Sequence, residues 1–120
     1  MDDKHSILIA EDTESNYLLV NTILKKEYNT SWAKNGKEAV RMCKETHPEM
    51  ILMDIRMPEM DGLEATRLIR EFDKDVIILA LTAFAFDHDK RNALAIGCNG
   101  FITKPINIAN LKATILEYFK

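Results

Sequence analysis

The sequence predicts an α/β domain built on a five-stranded parallel sheet with helices on both faces, a three-layer sandwich. Three observations lead there. Short unbroken apolar runs recur along the chain, as strands buried on both faces require. Segments with helical period separate them. The two kinds alternate five times as β-α, which demands right-handed crossovers and a parallel sheet.

The elements follow in order. Ile7-Leu8-Ile9-Ala10 reads as the first strand. Val20, Ile23 and Leu24 anchor the first helix. Tyr17, Leu18 and Leu19 crowd its start beyond one core stripe, so some of the three are expected at the surface. Thr30-Ser31-Trp32-Ala33 is more polar and reads as an edge strand, with Trp32 partly packed. Ala39, Val40 and Cys43 form a weaker stripe after Gly36. Asn35 followed by Glu38 has the spacing of a capping-box start. Met50-Ile51-Leu52-Met53 is the third strand. Ala65, Leu68, Ile69 and Phe72 follow i, i+3, i+4, i+7 and give the third helix one apolar face, with Asp61 and Glu64 at its start. Residues 76–81 form the longest apolar run, which ends at Thr82. Asp87-His88-Asp89-Lys90-Arg91 reads as the solvated start of a fourth helix. Ala93 and Ile96 anchor that helix, and Gly97 is suited to terminate it. Gly100-Phe101-Ile102-Thr103 is the last strand, and Leu111, Ile115 and Phe119 the stripe of the last helix.

Length and charge narrow the function. With 120 residues the chain is read as one domain, 1–120, large enough for a real core. Sixteen Lys plus Arg against 19 Asp plus Glu give a net charge of −3, without the basic footprint of direct nucleic-acid binding. No apolar run approaches the ~20 residues of a membrane span, so no direct membrane insertion is expected. The polar N-terminus has no signal-peptide pattern, which points to the cytoplasm. Cys43 and Cys98 are too few for a zinc site and read as buried hydrophobes of a reducing compartment. The scattered His5, His47 and His88 read as surface residues.

In such sheets a ligand site lies beyond the carboxyl ends of the strands. Glu11 and Asp12 follow the first strand, Asp54 the third, Thr82 ends the fourth and Lys104 follows the fifth. The carboxylates repel one another. A like-charged pair ~4 Å apart costs about 4 kcal/mol at an effective dielectric of ~20. A divalent cation relieves that cost. Oxygen ligands without His or Cys favour Mg²⁺ or Mn²⁺, and Mg²⁺ tends to bridge to phosphate. A carboxylate in this setting can itself be the nucleophile and form an aspartyl phosphate.

These residues resemble a response regulator receiver domain of two-component signalling over nearly the whole chain. The resemblance is carried by Ile7-Leu8-Ile9-Ala10-Glu11-Asp12, by Leu52-Met53-Asp54-Ile55-Arg56-Met57-Pro58 with Met60-Asp61-Gly62, by Ala80-Leu81-Thr82-Ala83, and by Phe101-Ile102-Thr103-Lys104-Pro105. Each piece is moderately specific; the four in order are highly so. The resemblance implies a flavodoxin-like (βα)5 fold with strand order 2-1-3-4-5. It implies Asp54 as phosphoacceptor, and Glu11, Asp12, Asp54 and the Arg56 backbone carbonyl around the metal. Lys104 would pair with a phosphoryl oxygen. Thr82 would move onto the phosphoryl group and Phe101 would follow it. Lys104–Pro105 matches a position that is often cis in the family. Position 11 is Glu where many relatives have Asp, and position 101 is Phe where many have Tyr. The stretch from Asn99 to Ile106 is most similar to receivers of hybrid sensor histidine kinases.

The resemblance also implies partners. A histidine kinase or histidine phosphotransfer domain would supply the phosphoryl group, docking on the first helix. A downstream output domain or protein would read the helix 4–strand 5–helix 5 face, through which relatives often form a homodimer on activation. Ala83-Phe84-Ala85-Phe86 could belong to that partner surface or pack under helix 4, and Met57, Met60 and Leu63 pose the same choice. Phe84, two residues past Thr82, is expected to exclude water and slow hydrolysis of the phosphoryl group. The main alternative is a receiver-fold interaction module not regulated by phosphorylation, which the intact acid–Thr–Lys set disfavours. An aspartyl-phosphate phosphatase needs a second Asp two residues after the nucleophile, where this chain has Arg56. A flavodoxin-like cofactor binder needs a phosphate-cradling loop after strand 1, where Glu11-Asp12-Thr13-Glu14 would repel phosphate.

Overall fold

The computed structural model describes residues 4–83 and 87–119, without the side chains of 87–90. Strands and helices alternate as β1 (Ser6–Ala10), α1 (Glu14–Leu24), β2 (Asn29–Ala33), α2 (Gly36–Thr46), β3 (Met50–Asp54), α3 (Gly62–Phe72), β4 (Ile77–Thr82), α4 (Asp87–Ile96), β5 (Gly100–Thr103) and α5 (Ile108–Tyr118). The strands form one parallel sheet in the order β2-β1-β3-β4-β5. The flavodoxin-like fold expected from the sequence is therefore the fold observed.

The apolar runs are unbroken because the sheet buries both of its faces. Side chains alternate along each strand. Leu8, Ala10, Ile51, Met53, Ile78 and Ala80 point to one side, where Ala39, Cys43, Ala65, Ile69 and Ala93 of α2, α3 and α4 cover them. Ile7, Ile9, Met50, Leu52, Leu79 and Leu81 point to the other, under Val20 and Leu24 of α1 and Leu111 and Ile115 of α5. The edge strand β2 is only half-buried over most of its length. The chain changes faces between α1 and α2, and β1 lies between β2 and β3. That reversal of strand order opens a crevice above the ends of β1 and β3.

Local signals behave as read, with additions. The side chains of Asn35 and Asp61 accept from Glu38 N and Glu64 N at 2.8 and 2.9 Å. Asn107 caps α5 in the same way, accepting from Asn110 N at 2.9 Å, a start that its sequence context did not single out. Gly97 ends α4 with φ +130°, and a Cβ there would meet the Arg70 side chain at 2.8 Å. Cys43 and Cys98 are buried. Leu18 and Leu19 are exposed, at 49% and 48%, as the crowded start of α1 implied.

Phe72 departs from the expected core stripe. It is the last residue of α3, 40% exposed and outside both core clusters, with the Lys44 ammonium 5.1 Å from its ring centroid. His5 stays at the surface, its side chain 44% exposed, and gains partners there: it stacks on Phe119 with centroids 4.1 Å apart and hydrogen-bonds Glu49 at 2.7 Å. His47 is exposed, and the side chain of His88 lies outside the described residues.

Gly62 connects the fold to the crevice. A Cβ there would lie 2.2 Å from the backbone oxygen of Asp54, at the end of β3. Backbone cannot yield as a flexible side chain can, so overpacking is costly. Gly62→Ala is expected to lower stability by about 2 kcal/mol or more, read from the midpoint and slope of urea unfolding.

Candidate functional site

The parallel register assembles the site. Ala10 pairs with Met53, which sets Glu11 and Asp12 beside Asp54. Asp54 pairs with Leu81, and Thr82 with Thr103, so that Lys104 emerges next to the same edge. One carboxylate oxygen from each of Glu11, Asp12 and Asp54 lies within 4.8 Å of the other two. Glu11 and Asp54 are buried, at 2% and 4% exposure, while Asp12 faces solvent. Lys104 Nζ reaches Asp54 Oδ2 at 3.0 Å and Glu11 Oε2 at 3.6 Å. The Arg56 N–H donates to Asp54 Oδ1 at 3.1 Å. A cavity of about 270 Å³ opens between these groups and the buried Thr82.

Backbone contacts hold the frame. Lys104 N donates to Thr82 O at 2.7 Å, and the Lys104–Pro105 peptide is cis. Ile55 N donates to Leu81 O at 3.1 Å, and Gly62 N closes the following loop onto Ile55 O at 2.9 Å. Thr82 and Phe101 line a second cavity of about 530 Å³ together with Met57, Leu63 and Asn92. Phe101 is half-buried and packs against the core on the α2–α4 side.

The buried acid is the electrostatic anomaly. Burial pushes Glu11 up to about 7, with the adjacent Asp54 carboxylate acting the same way. Asn16 and Lys104 oppose the shift. Glu11 Oε1 accepts from Asn16 Nδ2 at 3.1 Å and from Thr13 N at 3.4 Å. Glu11 Oε2 is buried without a hydrogen-bond partner among the described residues. A buried acceptor left in that state is costly. Three acidic groups, one of them with a buried oxygen that accepts no hydrogen bond among the described residues, and no His or Cys among them, fit a hard oxygen-seeking cation.

A protein-family model, the response regulator receiver domain, matches residues 7–116. The chain belongs to this family. It is 36% identical over 116 residues to the polar-differentiation response regulator DivK of Brucella anthropi, covering 94% of both chains. Among solved structures, it is similar to the receiver domain of the Saccharomyces cerevisiae response regulator Ssk1, co-crystallised with the histidine phosphotransfer protein Ypd1. There the TM-score is 0.91 and the identity 39%, over 96% of this chain and 88% of that one. It is also similar to the receiver domain of sensor histidine kinase PA1611 from Pseudomonas aeruginosa PAO1, which has a magnesium ion coordinated in its active-site cleft. That match has a TM-score of 0.88 and 34% identity, over 96% of this chain and 97% of that one.

The receiver thus gathers Glu11, Asp12, Asp54, Thr82 and Lys104 at one edge, with Phe101 at the neighbouring cavity. Met57 is buried, and Met60 and Leu63 are half-buried against the same core. Ala83 is exposed; Phe84, Ala85 and Phe86 lie outside the described residues. Two contacts to Glu11 escaped sequence reasoning. Asn16 holds its side chain, and Trp32 Nε1 donates to its carbonyl at 2.7 Å. Asn16 is a polar residue in the first turn of α1, close in sequence to the acids. Trp32 offers no such hint, because its ring reaches Glu11 from another strand.

The raised Glu11 value has a signed consequence. If Glu11 is a ligand, a cation would have to displace the proton that its raised value favours below pH ~7. Apparent Mg²⁺ affinity is expected to rise as pH goes from 6 to 7 and to level off near 8, measured by calorimetric titration. Glu11→Gln should flatten that rise. The metal-free protein runs the other way. A folded value above the unfolded one gives a stability contribution that is lost as pH rises through ~7.

Proposed function

We propose that the chain is a phosphorylation switch in which Asp54 accepts a phosphoryl group from a phosphohistidine of a partner. The observation that carries this reading is the convergence of Lys104 and two further carboxylates on a buried Asp54. Glu11, Asp12, Asp54 and the Arg56 carbonyl would hold Mg²⁺ or Mn²⁺, which supplies charge neutralisation to the transferring group. An Asp54 carboxylate oxygen attacks phosphorus, the P–N bond to the histidine breaks, and the imidazole leaves with the bonding electrons. Lys104 then pairs with a phosphoryl oxygen. Water attack on the aspartyl phosphate later restores Asp54, so the chain assists its own resetting as a signalling domain and turns over no other substrate.

The switch is read elsewhere. Thr82 ends β4 beside Asp54 and shares its larger cavity with Phe101, so a dianion that attracts the Thr82 hydroxyl changes the space open to the Phe101 ring. The helix carrying Leu94 and the helix carrying Ile108 flank β5 and present exposed apolar side chains for a downstream output domain or protein, or for a second copy on activation. The donor would be a histidine kinase or histidine phosphotransfer domain, docking at α1 near the exposed Leu18 and Leu19. The complex of a similar receiver with a phosphotransfer protein supports that partner class. No helix among the described residues is long and apolar enough to cross a membrane, in keeping with a cytoplasmic module spanning 1–120.

The test is chemical labelling. With Mg²⁺ present, acetyl phosphate should add one acid-stable, hydroxylamine-labile phosphoryl group to the wild type. Asp54→Asn should show none by intact mass. Undiminished labelling of that variant would contradict the assignment.

A further inference from the structure

We infer that Trp32 is a positioning residue for Glu11: its indole N–H fixes the Glu11 carbonyl and thereby orients the acidic pair before a cation arrives. This rests on the reading of Glu11, Asp12 and Asp54 as a cation site.

The β1–β2 ladder runs to Ala10 paired with Ala33. One step further, Glu11 N donates to Ala33 O at 3.0 Å. Continuing a parallel ladder would bring the Asn35 N–H to the Glu11 carbonyl. The chain turns there instead, because Asn35 is the N-cap of α2. The Trp32 indole takes the donor's place, with Nε1 2.7 Å from Glu11 O. Both backbone groups of Glu11 are thus tied to the end of β2.

The ring is itself held. It stacks on Tyr17 with centroids 4.3 Å apart and an interplanar angle of 4°. Lys34 Nζ lies 5.2 Å from the ring centroid on a cation–π contact. Tyr17 directly follows Asn16, whose side chain holds Glu11 Oε1. Side chain and backbone of Glu11 are therefore gripped by neighbouring residues of one helix and by the strand it packs beside.

The peptide plane beyond Glu11 is the one that aims Asp12. Fixing it sets the direction in which the Asp12 side chain leaves the backbone, beside a Glu11 carboxylate held by Asn16 and Thr13. A long Glu side chain loses rotamer freedom when it is immobilised. Ordering it during folding removes that cost from metal binding. Losing the indole N–H should therefore weaken the metal site while leaving Asp54 as reactive as before once metal is bound.

The experiment replaces one atom. β-(3-benzothienyl)alanine at position 32 keeps the fused ring and its stack but has sulfur where the indole carries N–H. Trp32→Phe is the encoded companion. Calorimetric titration with Mg²⁺ is expected to give a Kd about fivefold weaker in both, the size of one lost hydrogen bond. The Mg²⁺ concentration for half-maximal acetyl phosphate labelling should move by the same factor, and the rate at saturating Mg²⁺ should match wild type. Wild-type affinity in the benzothienyl protein would overturn the inference, as would a labelling defect that saturating Mg²⁺ does not restore. Asp12→Asn separates the two levels. If it abolishes Mg²⁺ binding while the benzothienyl protein binds normally, the role of Trp32 fails and the site stands. If the wild type binds no Mg²⁺, the site itself fails.

Discussion

Repulsion among Glu11, Asp12 and Asp54 is the constraint around which the rest of the structure is arranged. The parallel sheet drives their strand ends to one edge, and burial of Glu11 and Asp54 keeps those two together while Asp12 faces solvent. At ~4 Å and an effective dielectric of ~20, each like-charged pair costs about 4 kcal/mol. The fold meets that cost in three ways. Lys104 sits 3.0 Å from Asp54 and supplies one positive charge. The Arg56 N–H donates to the other Asp54 oxygen. Burial raises the Glu11 carboxyl to about 7, which disfavours its charged form. What remains is a buried Glu11 Oε2 that accepts no hydrogen bond among the described residues, and a deficit of positive charge, since Lys104 is shared between Glu11 and Asp54. That deficit is what the proposed cation would offset.

The same geometry explains how a local event can spread. The backbones of Lys104 and Thr82 are bonded across β4 and β5. Thr82 borders both cavities, and Phe101 borders the larger. In the proposed switch, a new dianion on Asp54 would compete for Lys104 and attract Thr82. Any rearrangement then reaches β5 and the helices beside it through elements that already touch. The opposite end of the sheet is pinned. Arg70 donates to Gly97 O and Asn99 Oδ1, Asn99 Oδ1 also accepts from Ile78 N, and Tyr118 donates to Asn99 O.

Much of this was legible in the sequence, for definite reasons. Both-face burial makes apolar runs unbroken, so the three central strands declared themselves. Periodicity and capping spacing located the helices at Asn35 and Asp61. Strand-end positions are a topological property, so Glu11, Asp12, Asp54, Thr82 and Lys104 could be grouped once the sheet was taken as parallel. What escaped depends on which atoms face which across unrelated segments. Trp32 reads as an edge-strand aromatic, and only the register shows its N–H replacing a ladder donor. Phe72 fits the helical stripe, yet α3 ends there and the ring falls outside the core. His5 reads as a surface residue, and nothing in the sequence shows that Phe119 comes back from the C-terminus to stack on it.

A divalent cation that completes the acidic cluster would stabilise the folded chain. Ligand binding to the folded state raises stability by RT ln(1 + [L]/Kd). Thermal unfolding should be followed across increasing Mg²⁺, with NaCl adjusted to hold ionic strength constant. The expected result is a midpoint that climbs with the logarithm of Mg²⁺ concentration once the site begins to fill. A midpoint indifferent to Mg²⁺ at fixed ionic strength would contradict the account.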